Sequence, residues 1–211
     1  RVIARFCKRA IAYYPPCRFL MLTHVKELIA QNAKRLLELW PDAPLGIYSD
    51  GLKRRDIHNQ IIFGGVASVI AEPMSFGFRD FIVIDECDLL SPDDETMYQV
   101  IISKLKQINP YIKVVGLTAT PFRAGQGMLT DGGLFTHIVH DMTTLENFDR
   151  LIAEGYLCPP IPKRTKIELK TDGVTVSKGE FNLTQLQKAV NKDEITLAAL
   201  EEFCEMAADR Y

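Results

Sequence analysis

Several things are scarce in these 211 residues, and each scarcity narrows the possibilities. Cysteine is one: Cys7, Cys17, Cys87, Cys158 and Cys204 are odd in number and never spaced C-x-x-C. Neither a disulfide framework nor a zinc cluster is expected from them, and a reducing, cytosolic setting is the resulting expectation. No run approaches the roughly 18 apolar residues that a membrane-spanning helix needs, and no signal peptide opens the chain. Charge of one sign is missing too. Lysine and arginine total 25 against 27 aspartates and glutamates, a net charge of −2, which excludes a histone-like polycation but leaves room for a local basic groove. There is no internal repeat and no low-complexity tract. Nor does a G-x-x-x-x-G-K-[ST] phosphate loop occur anywhere.

What is present is the material for a core. Hydrophobic residues make up 47% and charged residues 25%, a globular balance that argues against extensive disorder. The opening segment reads as helix, with Val2, Ile3, Phe6, Cys7, Ala10 and Ile11 at helical spacing, and Tyr14-Pro15-Pro16 stops it because proline cannot continue the amide ladder. Short apolar runs then alternate with amphipathic segments. The runs are Phe19-Leu20-Met21-Leu22, Leu45-Gly46-Ile47-Tyr48, Ile61-Ile62-Phe63, Phe81-Ile82-Val83-Ile84 and Val114-Val115-Gly116-Leu117. Between them lie a helix with Val25, Leu28, Ile29, Ala33, Leu36 and Trp40 on one face, a short one over 66–71, and one carrying Met97, Ile101, Ile102 and Leu105. Continuous rather than alternating apolar runs suit strands buried on both faces. Strands alternating with helices predict an α/β fold with a parallel sheet flanked by helices.

The last part changes character. Gly155-Tyr156-Leu157-Cys158-Pro159-Pro160 reads as a linker, residues 165–169 alternate like a half-exposed strand that 174–176 can pair with, and Asn182 and Asp193 are expected as N-caps of two helices. The second of these is expected to turn Ala199, Phe203 and Met206 inward. The expected division is 1–160 as one domain and 161–211 as a linker with the first elements of another.

Two signals carry chemistry. In Phe81-Ile82-Val83-Ile84-Asp85-Glu86-Cys87-Asp88 a hydrophobic strand ends in adjacent acids, which places them at the carboxyl edge of the sheet, where open α/β folds bind ligands. Two acids there suit a nucleotide site: Asp85 to hold magnesium on the β- and γ-phosphates, Glu86 to orient and deprotonate the attacking water. An ordinary strand end is the competing reading. In Val114-Val115-Gly116-Leu117-Thr118-Ala119-Thr120-Pro121-Phe122-Arg123 a second strand ends in two hydroxyls at the same edge. Thr118 and Thr120 can hydrogen-bond the acids and sense the γ-phosphate, or mark no more than a strand-to-turn exit.

Together these segments resemble superfamily 2 helicases. Asp85-Glu86-Cys87-Asp88 is similar to motif II (the DExH/D box), and Thr118-Ala119-Thr120 to motif III. The stretch from Leu22 to Asn32 is similar to motif Ia, and that from Ile61 to Val69 to motif Ib. Within the superfamily the run most resembles the bacterial RadD-type DNA-repair helicases, through His24-Val25-Lys26-Glu27-Leu28, Gly51-Leu52-Lys53-Arg54 and the Thr-Ala-Thr segment up to Arg123. The resemblance implies a RecA-like P-loop NTPase domain, ATP and Mg2+ as cofactors, and DNA, single-stranded or branched, as partner. RNA is the alternative. It also implies a cytoplasmic, nucleoid-associated bacterial protein. Asp85 would match the magnesium-binding acid and Glu86 the catalytic base, while Thr118, Thr120 and Asp88 would couple hydrolysis to strand movement.

Nucleic acid would lie along Thr23, His24, Lys26, Gly64, Gly65, Ser68 and Arg123. Thr23 and His24 fall where a strand gives way to a helix, so free N–H groups and the positive dipole end can meet a phosphate, with Lys26 adding charge. A solvated Lys26 and a packed His24 are the plain alternatives. Ser68 with Gly64-Gly65 forms a second backbone cradle or else simply turns the chain. Lys53-Arg54-Arg55 reads better as solvated surface than as a phosphate patch. His58, His137 and His140 have no ligand spacing.

The chain departs from this pattern in two ways. The phosphate loop is expected in a segment preceding Arg1, and without it these 211 residues are expected to be inert as an ATPase. Aspartate at position 88 is commoner in DEAD-box RNA helicases, although Thr-Ala-Thr and His-Val-Lys-Glu-Leu favour DNA. A non-catalytic nucleic-acid-binding module is the reading from a different class.

Overall fold

In the computed structural model, residues 1–90, 97–123, 127–131, 135–160, 170–177 and 180–207 are described. The chain divides into two compact units, Arg1–Thr143 and Thr144–Tyr211. The first begins with α1 (Val2–Tyr13), which ends where Tyr14 N–H donates to Ala10 O just before the two prolines. It continues through β1 (Phe19–Thr23), α2 (Lys26–Leu39), β2 (Leu45–Ser49), β3 (Arg54–Arg55), β4 (Ile61–Gly65), α3 (Val66–Val69), β5 (Phe81–Asp85), α4 (Met97–Ile108) and β6 (Lys113–Leu117). A small hairpin follows, β7 (Phe122–Arg123) with β8 (Gly127–Met128).

Six strands form one sheet in the order β3-β2-β4-β1-β5-β6. All pairings are parallel except the short edge strand β3, which runs antiparallel to β2. The expected α/β architecture, a parallel-dominated sheet flanked by helices and consistent with a RecA-like domain, is therefore present. The alternation inside each strand assigns its side chains to two cores. Leu20, Leu22, Ile62, Ile82 and Ile84 point to the face covered by Val66 and Val69 of α3 and by Ile101, Ile102 and Leu105 of α4. Phe19, Met21, Ile61, Phe63 and Val83 point to the other, covered by Ala4 and Cys7 of α1 and Ile29, Ala33 and Leu36 of α2. Each fully buried Leu, Ile or Phe contributes about 1.5–3 kcal/mol of transfer free energy. A one-residue slip would exchange the two faces, so the register is held tightly.

The amino edge of the sheet is fastened by an unexpected group. Arg79 is fully buried, and its guanidinium donates to backbone carbonyls: Nε to Phe76 O (3.0 Å), Nη1 to Asn59 O (2.8 Å) and more weakly to Gln60 O and Phe19 O, Nη2 to Ile57 O (2.8 Å). Asn109 Nδ2 in turn donates to Arg79 O at 2.8 Å. Burial, with the neighbouring Arg18 charge, pushes the Arg79 guanidinium down to about 9, so it stays cationic at neutral pH.

The second unit holds α5 (Leu145–Ala153), β9 (Val176–Ser177), β10 (Glu180–Phe181), α6 (Leu183–Val190) and α7 (Asp193–Ala207). Thr144 and Asn182 cap α5 and α6, accepting from Asn147 N–H and Gln185 N–H. Gly155, at φ +75°, closes α5 within the segment expected as a linker. Residues 165–169, expected to pair with 174–176, lie outside the described residues, and β9 pairs with β10. Two expectations change. Asp193 is the first residue of α7 and not the cap preceding it. Phe203 is 67% exposed, and the buried position of α7 is Glu202, because the apolar residues of this helix do not gather on one stripe.

Removing the guanidinium would strand several buried carbonyls, each costing about 1–3 kcal/mol when left unpaired. Arg79→Ala is therefore expected to lower unfolding free energy by at least about 3 kcal/mol in urea titrations. A denaturation midpoint equal to the parent's would show that water replaces the clasp at no cost.

Candidate active site at the carboxyl rim of the sheet

In a parallel sheet every strand points its carboxyl end to the same edge, and the register here aligns those ends closely. Thr23 stands opposite Gly65, Leu22 opposite Ile84, and Asp85 opposite Leu117. The two motif-bearing strands, β5 and β6, are direct neighbours. Their acids and hydroxyls consequently leave the sheet side by side.

The tightest cluster joins them. Thr118 Oγ1 donates to Asp88 Oδ1 at 2.7 Å, and Thr120 Oγ1 donates to Asp88 Oδ2 at 3.0 Å. One carboxylate thus holds both hydroxyls of the Thr-Ala-Thr turn, using its two oxygens at once. Thr120 N–H donates back to Thr118 Oγ1 at 3.0 Å, so the turn is closed on itself as well as on Asp88. The close approach depends on Gly116. A Cβ there would stand 2.6 Å from Cys87 Sγ and 2.5 Å from the Phe135 ring. The bare Cα lets the buried Cys87 settle against β6 and carries Asp88 within reach of the threonines.

Asp85 is half-buried and faces different partners. Asn32 Nδ2, from α2, donates to its Oδ2 at 3.1 Å. Tyr98, at the start of α4, feels the Asp85 charge: burial first, then that charge, push its hydroxyl up to about 12, so it remains protonated. Between the two acidic ends of the motif the backbone is strained. Glu86 is exposed and sits at φ 54°, ψ 51°, the left-handed region that favours glycine. This turns the chain sharply out of β5 into the short 3₁₀ turn over Cys87–Leu89.

Thr23, His24, Lys26, Gly64, Gly65 and Ser68, expected from sequence to meet nucleic acid, lie at or near the ends of β1 and β4 at the same rim but differ in availability. Thr23 is buried at the end of β1, its Oγ1 a long 3.5 Å from Val25 N–H. His24 and Lys26 are exposed, and α2 begins at Lys26 with no side-chain cap on its first turn. The Lys26 stem lies over Gly51, where a Cβ would meet its Cδ at 3.1 Å. Gly64 is buried, with Val69 Cγ2 only 2.7 Å from where its Cβ would be, so its bareness admits a core side chain. Gly65 is similarly approached by Ile29, at 3.3 Å. Ser68 is buried, and its Oγ accepts from Asp50 N–H at 3.0 Å, binding the loop after β2 to α3. Arg123 lies in β7, opposite Gly127. Arg54 pairs with Asp56, and Arg55 pairs with Asp50 while stacking over Tyr48, in line with the solvated-surface reading. Sequence reasoning missed Asn32, Tyr98 and the Gly116–Cys87 contact. Of these only Asn32 left a trace, as a polar residue on the inward stripe of α2.

The strain at Glu86 gives a direct test. Glycine relieves a left-handed backbone that alanine must keep, so Glu86→Gly is expected to be more stable than Glu86→Ala by about 1 kcal/mol. Chemical denaturation of the two variants measures it, and the reverse order would show that the turn is not left-handed in solution.

The family described as "Type III restriction enzyme, res subunit" matches residues 1–123, more than half of the chain. A search of curated proteins gives no match. Among solved structures, the UvsW helicase from bacteriophage T4 is similar at 21% identity and a TM-score of 0.42, over 60% of this chain and 42% of that one; the chain thus spans less than half of that protein's length. The matched residues include all four segments that resemble helicase motifs Ia, Ib, II and III. The chain belongs to the Type III restriction enzyme res-subunit family.

Proposed function

We propose that this chain is the first motor domain of an ATP-dependent DNA helicase or translocase, of the RadD-like DNA-repair kind, acting in the bacterial cytoplasm. The observation that carries the reading is the grip of Asp88 on Thr118 and Thr120, beside Asp85 and Glu86 on one rim. It joins the strand that would hold the nucleotide's metal to the turn that follows the next strand, so a displacement at one is felt at the other.

The donor set suits magnesium. Mg2+ keeps several waters and takes one or two carboxylates together with substrate phosphates. Asp85 offers one such carboxylate: Oδ2 is held by Asn32, and Oδ1 receives no hydrogen bond from a described residue. The ion, with ATP, would supply charge neutralisation across the β- and γ-phosphates. The rest falls to side chains of this chain. Asp85 would hold the ion, through water. Glu86, projecting into solvent from its left-handed turn, orients a water and takes its proton. Thr118 and Thr120 transmit the change through Asp88. His24 and Lys26, with the uncapped first turn of α2 beside them, receive backbone phosphates, supported by Thr23, Gly65, Ser68 and Arg123. The 211 residues contain no glycine-rich phosphate loop, and by themselves they are proposed to turn over no ATP.

RNA is the second reading, and Asp88 favours it. A carboxylate accepts two hydroxyls at once where a histidine accepts one, and aspartate at this place is the DEAD-box pattern. Full-length protein decides between them. ATP hydrolysis is expected to rise with single-stranded DNA and little with RNA; stimulation by RNA alone would assign the motor to RNA. Glu86→Gln is expected to cut turnover at least about 10²-fold with nucleotide affinity nearly unchanged. Full turnover in that variant would remove Glu86 as the base. The absence of any ATPase activity in the full-length protein would leave the non-catalytic binding module.

A further inference from the structure

Asn32 occupies a place in α2 that helical spacing reserves for a hydrophobic residue. Ile29, Ala33 and Leu36 are buried against the sheet, and position 32 lies three residues after the first and four before the last. Asparagine is also a poorer helix former than leucine. Local preferences therefore disfavour it twice, and what it does instead is reach the last residue of β5, donating to Asp85 Oδ2 at 3.1 Å. An ionised carboxylate only accepts, so the amide must present its NH2.

The same helix starts at the rim. Lys26 is six residues earlier, about 9 Å along the axis at 1.5 Å per residue, and the intervening turns are held by Ile29 against the sheet. We propose that Asn32 is a positioning residue: it ties the Asp85 carboxylate to α2, so that the phosphate-facing start of the helix and the metal-holding acid move as one body. This rests on the reading of Asp85 and of the α2 start given above. It joins α2 to the acid, as the Asp88–threonine cluster joins the end of β5 to the turn after β6. Hydrogen-bond partners outside the ligand shell orient metal-ligating carboxylates, and their loss typically weakens metal affinity or activity about 10–100-fold. Because binding linkage is reciprocal, the same tie should make single-stranded DNA and magnesium-nucleotide sense one another.

The test uses full-length protein, a fluorescent non-hydrolysable ATP analogue with Mg2+ or with EDTA, and a fluorescein-labelled dT20 strand. Asn32→Leu keeps the size and removes the donor; Asn32→Gln keeps the carboxamide; Asp85→Asn is the control for the acid itself. In Asn32→Leu the gain in analogue affinity on adding Mg2+ is expected to shrink about 10–100-fold. Affinity in EDTA and the unfolding midpoint should stay at the parent's values. The factor by which the Mg2+-bound analogue changes dT20 affinity should fall towards one, and Asn32→Gln should recover part of both losses. Parent-like behaviour of Asn32→Leu overturns the proposal, as does equal loss in the leucine and glutamine variants. Magnesium dependence that survives in Asp85→Asn overturns the reading of Asp85 instead, and the role of Asn32 falls with it.

Discussion

The burial of β1, β4 and β5 on both faces is the constraint from which the rest follows. With Leu20, Leu22 and Ile62 committed to one core and Phe19, Met21 and Phe63 to the other, none of these strands can slide by a residue without exchanging its two sets of side chains. The register is therefore fixed, and with it the position of every strand end. Thr23, Gly65, Asp85 and Leu117 arrive at one rim because the hydrophobic residues behind them have no other arrangement. The chemistry is placed by the core, not by contacts among the polar residues themselves.

At that rim stability is given up in several places. Glu86 holds a backbone conformation that costs free energy in any residue but glycine. Asn32 interrupts an apolar helical stripe. Thr120 is exposed, although its hydroxyl is held. Departures from local preference at an edge that carries polar groups are what a functional rim built on a rigid scaffold produces. Gly116 makes the cluster possible at close range, since any side chain there would push Cys87 or Phe135 away and take Asp88 with it.

Much of this was legible in the sequence. The five core strands and the three main helices of the first unit are written as continuous apolar runs and helical stripes, because burial of apolar surface is the strongest force in folding and leaves a direct imprint. That Asp85 and Thr118 would emerge together follows from two strand ends in a parallel sheet. What was not legible depends on tertiary contacts. Nothing in Gly64 distinguishes a glycine open to a ligand from one that admits Val69, since both need a missing Cβ. Arg79 looks like any surface arginine until five carbonyls are found around it. In the second unit Phe203 and Glu202 reverse the expected inside and outside of α7; fewer buried residues there leave the helical period with less to report.

The guanidinium of Arg79 acts on the sheet as a rivet acts on stacked plates. It fastens the segments at Phe19, Phe76 and 57–60 at the end of the sheet remote from the acids, without a covalent bond and without a cysteine. Such a fastening is indifferent to thiol chemistry, and burial pushes the Cys7 and Cys17 thiols up, to about 12 and 11, which disfavours their thiolate forms at neutral pH. One end of the sheet is thus pinned by a buried charge while the other carries the strained Glu86 and the polar cluster, so fastening and chemistry occupy opposite ends of the same strands.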